Sequence, residues 1–525
     1  MNLASMTRRR SGVLITAVVL ALALTTAVGP AGAAPAVVDG GGSTWSQIAV
    51  DQWRADVARQ GVTINYQGVG STAGRVAYYQ GQVDFAVSEI PFQDGSTGTT
   101  DEIALARKRP WVYLPIVAGG TSFMYHLDVN GSRVTDLRLS PRTIARIFTG
   151  EIKNWNDPDI TRDNRGKAFP SLPMKPVIRS DGSGTSAQFT LFMSAQVPDV
   201  WQRFCALASL GAGCPATSTY PNPPGVGFAA QQFSDGVANF VAAPYNNGSI
   251  TYVEYGYAKE RGYPVASVLN KAGYYTQPTA QAVAIALQGA RINPDGTQIL
   301  GGVYNFPDNR AYPVSSYSYM IAPTTEAAPF TRAKGDPLGR YILYFLCAGQ
   351  QKAEQLGYSP LPKNLVQLGF DAVRKIPGAP APPPITSCSN PTITGDFITG
   401  AAPPPDPDDG GGGTTGGGTT GGGTTGGSTS GGGTSGGGTS GGSTTGGGTT
   451  GGGTTGGGNG LGGGPTGGLG GGGNGSALAT SGVVELPSGR QPVPFLVSVG
   501  VVLALLALVF GPAAVLTLRR RRTSQ

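Results

Sequence analysis

The sequence predicts an α/β fold of two lobes, flanked on both sides by segments that are not globular. Three observations predict it. Strand-like and helix-like patterns alternate along the middle of the chain, which is the signature of largely parallel sheets covered by helices. The stretch from residue 36 to about 390 is longer than one hydrophobic core usually supports, so two lobes are expected. Short polar turns with spaced glycines recur between strand and helix, at the carboxyl ends of strands where such sheets hold ligands.

The elements follow in order. Residues 45–58 read as a helix, 63–66 as a strand, 73–80 as a helix and 83–87 as a buried strand. Residues 111–117 are β-rich, and 141–149 form a helix with Pro141 in its first turn. An apolar run over 187–193 suits a helix, 250–255 is extended, and 338–356 is helical.

The ends are of a different kind. Arg8, Arg9 and Arg10 precede an apolar run over residues 13–28, and Ala31-Gly-Ala33 supplies a cleavage site. Residues 1–33 are therefore expected to be a secretory signal peptide. At the other end, residues 493–518 form an apolar run of 26 residues, longer than the roughly 20 that span a bilayer, and Arg519–Arg522 follow directly. The expectation is a transmembrane helix over 491–518 with a basic cytoplasmic tail, residues 519–525. Leu486-Pro-Ser-Gly489 approaches a sortase signal but lacks its threonine. Residues 391–490 begin Pro-rich and become runs of glycine, threonine and serine with almost nothing apolar to bury, so a disordered linker is expected. About 75 flexible residues would hold the folded part roughly 45–50 Å from its anchor.

Charge and cysteines narrow the function. The formal charge of +7 is carried by the three arginines near the start and the four near the end; without them the chain is neutral. Nucleic acid is not an expected partner. The four cysteines, Cys205, Cys214, Cys347 and Cys388, lie in the exported part and are expected to form disulfides. Sequence proximity favours Cys205 with Cys214 and Cys347 with Cys388, although three pairings are open. His126 is the single histidine, so no His/Cys metal spacing exists and no metal or cofactor is expected.

Four turns carry the chemistry. They are Gly40-Gly-Gly-Ser-Thr-Trp45, Gly68-Val-Gly-Ser-Thr-Ala-Gly74, Phe85-Ala-Val-Ser-Glu89, and Ile178-Arg-Ser-Asp-Gly-Ser-Gly-Thr-Ser186. In the last, Arg179 offers a planar fork of donors, and the hydroxyls of Ser183 and Thr185 stand before a helix start whose first N–H groups lack partners. Any one of these turns could be ordinary helix capping; four together suggest one oxyanion pocket. Ser183 does not sit in a nucleophile elbow, and no base stands at recognisable spacing from it, so an enzyme is not expected.

In their order, these turns resemble the periplasmic phosphate-binding protein of phosphate ABC transporters, a type II periplasmic-binding-protein family. Thr149-Gly-Glu-Ile-Lys-Asn-Trp155, Gly248-Ser-Ile-Thr-Tyr-Val-Glu-Tyr255 and Tyr312-Pro-Val-Ser-Ser316 resemble further family segments, and the similarity runs from about residue 40 to 365. The resemblance implies a clamshell that closes over one inorganic phosphate and presents it to a permease. Its lobes would be residues 36–120 with 306–390, and residues 121–305, within a domain spanning 34–390. A monomer is expected, held at the outer face of the membrane by the C-terminal helix. The resemblance implies that Thr44, Trp45 and Ser71 donate from the first lobe, and Arg179, Ser183, Gly184 and Thr185 from the second, with Asp181 orienting Arg179. Trp45 stands where the family usually has phenylalanine. Glu89 stands where the family has aspartate, accepting the proton that phosphate keeps and sulfate lacks. Its extra methylene must be absorbed by a shift or another rotamer, which leaves the degree of selectivity open. Residues 93–109 and 214–227 also depart from the family pattern. A membrane-tethered phosphate sensor, an adhesin on the same fold, or a binder of another oxyanion would keep the same turns.

Overall fold

The computed structural model describes residues 36–96, 100–211 and 214–398. The expected signal peptide, the glycine-rich linker beyond residue 398 and the apolar run at 493–518 lie outside the described residues. Among the described residues, no helix is long and apolar enough to cross a membrane.

The described chain is a two-lobed α/β structure organised by one eight-stranded sheet. Its strands are β1 (Val38–Gly42), β2 (Ile64–Gly68), β3 (Phe85–Ser88), β4 (Trp111–His126), β5 (Lys175–Arg179), β6 (Ala229–Gln231), β7 (Ser249–Glu254) and β8 (Ser315–Pro323). Their order across the sheet is β2-β1-β3-β8-β4-β7-β5-β6. Strands β1, β2 and β3 are mutually parallel on one side, and β5, β6 and β7 are parallel on the other. Strands β7 and β8 run antiparallel to β4. Residues of β3, β7 and β8 are buried along their whole length, as strands covered on both faces require.

Strand β4 joins the two halves. It is 16 residues long, more than twice the β-rich stretch visible in the sequence. Residues Trp111 to Gly120 pair with β8, and Thr121 to His126 pair with β7. The partner therefore changes between Gly120 and Thr121. The sequence pattern weakens there because Gly119 and Gly120 look like a break. They are glycine because large side chains crowd them: a Cβ on Gly119 would lie 2.8 Å from the Trp45 ring.

Helices cover the sheet much as patterning indicates. Helix α1 (Gln47–Ala58) buries Ala49, Val50, Trp53 and Val57, and Trp53 stacks on Phe345 at 5.4 Å. Helix α2 (Ser71–Tyr79) follows β2 and α3 (Glu102–Ala106) follows β3. The α3 segment lies within residues 93–109. Glu102 in it is buried against Arg75 of α2 at 2.8 Å, and its carboxylate also accepts the Gln93 N–H. Arg75 in turn reaches Ser88 Oγ at 3.3 Å, which ties this stretch to the end of β3. Helix α4 (Pro141–Phe148) starts at an Ser140 cap with Pro141 in its first turn. In the second half, α5 (Gly184–Gln196) follows β5 and α6 (Phe233–Ala242) follows β6. The long helix expected over 338–356 is two pieces, α7 (Gly335–Leu346) and a 3-10 turn at Ala348–Lys352. The break falls at Cys347, whose side chain is bonded to Cys388. Cys205 is bonded to Cys214, so both pairs join sequence neighbours.

Glu254 ends β7 at the crossover, paired in register with Thr121. It is fully buried, and its carboxyl accepts the Gly256 N–H at 2.8 Å. Burial pushes its pKa well above the ordinary value of 4.5, only partly opposed by that N–H. The folded protein thus keeps a proton that the unfolded chain releases above about pH 4.5, so this contribution to stability falls as pH rises. Glu254→Gln is expected to unfold at a higher temperature than the parent at pH 8, with little gain at pH 4. Thermal unfolding followed by circular dichroism at the two pH values checks this; an equal effect at both would mean that Glu254 is ionised in the fold.

Candidate ligand-binding site

The parallel strands of the eight-stranded sheet end at the same seam, and the turns that follow supply its polar groups. After β1 the chain bends through Ser43, Thr44 and Trp45 before α1 begins. The Trp45 ring is buried edge-on to Tyr358, with centroids 5.7 Å apart. The Trp45 backbone N–H donates to Ser43 Oγ at 3.0 Å, and the Trp45 carbonyl accepts the Tyr358 hydroxyl at 2.6 Å. After β2, Gly70 adopts φ +88° and Ser71 opens α2. After β3 comes Glu89, whose carboxylate is buried.

Three hydroxyls surround that carboxylate. Ser43 Oγ and Ser318 Oγ donate to one oxygen at 2.5 and 2.7 Å, and Ser71 Oγ donates to the other at 2.7 Å. No basic side chain is hydrogen-bonded to it among the described residues. Ser43 and Ser318 are additions that sequence reasoning did not single out. Ser43 lay inside a recognised turn. Ser318 lies on β8, where the alternating serines at 316 and 318 share one face but carry no turn signal.

The second half brings the cation. Arg179 ends β5 and is buried, and its guanidinium grips Asp181 through Nε–Oδ1 at 2.7 Å and Nη2–Oδ2 at 2.5 Å. Its remaining donors point into the seam: Nη1 to Ser234 Oγ at 3.3 Å and Thr185 Oγ1 at 3.4 Å, Nη2 to Thr44 Oγ1 at 3.2 Å. Ser183 caps α5 by accepting the Ser186 N–H at 3.2 Å, which leaves its own proton for another acceptor. Ser234, at the start of α6, is a further residue that motif reading missed, because its turn after β6 contains no glycine.

Direct bonds across the seam join the two sets. The Gly184 N–H donates to Ser71 Oγ at 3.1 Å, Gln188 Nε2 to the Glu89 carbonyl at 2.7 Å, and the Thr72 N–H to the Gly182 carbonyl at 3.1 Å. Thr44 and Ser234 hydroxyls lie 2.9 Å apart, and the Tyr257 hydroxyl donates to the Thr44 carbonyl. Burial drives the pKa values of Tyr257 and Tyr358 far upward, so both stay neutral donors. Thus Thr44, Ser71, Glu89, Arg179, Thr185 and Gly184 are brought into one buried cluster. The Trp45 N–H is engaged by Ser43, and Asp181 sits behind Arg179. His126 is elsewhere, with Nδ1 at 3.0 Å from the Val241 carbonyl and Nε2 at 3.1 Å from Asp128.

The approach of the halves is limited by Gly184. A Cβ there would lie 1.9 Å from Glu89 Oε2 and 2.5 Å from Ser71 Oγ. The longer acidic side chain is therefore accommodated against a residue with no side chain of its own. Gly184→Ala is expected to hold the lobes apart, at a cost on the order of 1–3 kcal/mol for the closed form. A larger radius of gyration by small-angle scattering is the expected result; an unchanged value would show that Glu89 swings away freely.

Comparison with known proteins places this arrangement. Residues 29–348 match the model of a PBP superfamily domain. The phosphate-binding protein PstS of Xylella fastidiosa strain Temecula1 is 30% identical over 333 residues, covering 63% of this chain and 83% of that protein. Phosphate-binding protein PstS 2 of Mycobacterium tuberculosis is 29% identical over 331 residues, covering 62% of this chain and 82% of that protein. The phosphate-binding protein PstS of Methanocaldococcus jannaschii is 27% identical over 355 residues, covering 64% and 85%. With its sheet, its seam and these matches, the chain belongs to the phosphate-binding protein family of the PBP superfamily.

Proposed function

We propose that this protein captures inorganic phosphate between its lobes and presents it to the permease of a phosphate ABC transporter. It does so by binding, with no reaction on the ligand. The observation that carries the reading is the pairing of two opposite demands in one buried cluster. Arg179 and the Thr185 hydroxyl, whose lone pair takes an Arg179 N–H, offer donors to an oxyanion. Glu89, with no basic side chain hydrogen-bonded to it among the described residues, offers an acceptor within the same cluster. An oxyanion that keeps a proton satisfies both; fully ionised sulfate would set a charge against the Glu89 carboxylate. Because these donors and this acceptor come from opposite halves, the anion binds the closed form better than the open one and shifts the population toward closure.

The same proposal covers the ends of the chain. Residues 1–33 direct export, and residues 491–518 hold the protein at the outer face of the membrane through the linker at 391–490. The apolar run and the four arginines after it support this. A tethered sensor would bind the same anion without touching a permease, so co-purification with the permease separates the two readings.

Two variants test the site. Arg179→Ala is expected to weaken phosphate binding by at least about a hundredfold in calorimetric titration of the purified chain, because it removes the charged donor and strands Asp181. An unaltered affinity would remove Arg179 from the site. Glu89→Gln is expected to lower the preference for phosphate over sulfate by about tenfold or more, read from competition titrations, since an amide no longer repels the unprotonated anion. Unaltered selectivity would place Glu89 away from the ligand.

A further inference from the structure

Asp181 does more than grip Arg179. Its Oδ1 atom also accepts the N–H of Phe233 at 2.9 Å. Phe233 begins α6 with φ +62°, a left-handed conformation unusual for a bulky residue, and the next residue is Ser234. The carboxylate that orients the guanidinium thus also fixes the turn that delivers Ser234 into the seam.

Proton counting then gives Ser234 a role. A hydroxyl has one proton and two lone pairs. Thr44 Oγ1 accepts from Arg179 Nη2 and from the Ser234 N–H, each at 3.2 Å, so both of its lone pairs are used. Its own proton is directed to Ser234 Oγ, 2.9 Å away. Ser234 Oγ also accepts from Arg179 Nη1 at 3.3 Å, which fills its second lone pair. The hydroxyl of Ser234 is fully buried, and none of its contacts can take its proton. An anionic oxygen beside the Arg179 guanidinium is the acceptor it lacks.

We infer that Ser234 is an additional ligand-contacting residue that donates its hydroxyl proton to the bound oxyanion, and that Asp181 positions it together with Arg179. The inference rests on the phosphate reading above. It assigns α6 a direct part in the site, and it makes Asp181 the common support of two donors on different elements.

The test is calorimetric titration of the purified full chain with inorganic phosphate, for the parent, Ser234→Ala, Ser234→Gly and Arg179→Ala. The expected result is a Kd raised about tenfold in both Ser234 variants, with the ligand-free melting temperature close to that of the parent. The phosphorus NMR shift of bound phosphate should also move in the Ser234 variants, which a purely structural role would not produce. Parental Kd and shift in both Ser234 variants, with binding lost in Arg179→Ala, would overturn this inference and leave the phosphate site standing. Parental binding in Arg179→Ala would instead overturn the site assignment, and this inference with it.

Discussion

The arrangement depends on one strand being shared by two sheets' worth of structure. Strand β4 is continuous through both halves, and its hydrogen-bonding partner changes from β8 to β7 between Gly120 and Thr121. Because the strands on either side run parallel within their own group, all of their carboxyl ends face the same seam. Ser43 and Thr44, Ser71, Glu89, Arg179 and Ser234 each lie within a few residues of a strand end. Ser43, Thr44, Ser71 and Glu89 are gathered by β1, β2 and β3, and Arg179 and Ser234 by β5 and β6; the shared strand brings the two groups together.

Within the seam, the cost of burying a guanidinium organises the polar groups. Arg179 is almost wholly covered, and a charge so placed needs a counter-charge and filled donors. Asp181 supplies the first, and the hydroxyls of Thr44, Thr185 and Ser234 take the rest. The consequence is that hydroxyl lone pairs are consumed by N–H groups, which leaves the protons of Thr185 and Ser234 for an acceptor in the seam. Glu89 shows the opposite arrangement. Its oxygens are surrounded by serine donors and no hydrogen-bonded cation, so it keeps the character of an acceptor.

The surroundings of Glu89 show how its side chain is accommodated. Its carboxylate lies against Gly184 of the other lobe, where a Cβ would have no room, and Ser43 and Ser318 hold it from the first lobe. The segment at 93–109 reinforces the same turn indirectly: buried Glu102 fixes Arg75, and Arg75 reaches Ser88 beside Glu89. Glu89 and the segment at 93–109 thus meet at one corner of the seam.

The sequence by itself determined the local chemistry of this protein. Alternating strand and helix patterns, glycine-spaced turns and the Arg179–Thr185 loop were legible because each depends on neighbours a few residues apart. The pairing of each cysteine with the next one along the chain, 9 and 41 residues away, was also favoured by the sequence. What only the tertiary structure decided depends on residues far apart in the chain. The length of β4 was hidden by Gly119 and Gly120, whose small size answers to Trp45 and Tyr312 and not to local conformation. The split of the last long helix at Cys347 depends on Cys388. Ser318 and Ser234 join the seam from separations of 229 residues to Glu89 and 55 to Arg179. A serine on a buried strand or in a turn without glycine carries no pattern of its own; its role is set by which groups the fold places within hydrogen-bonding distance.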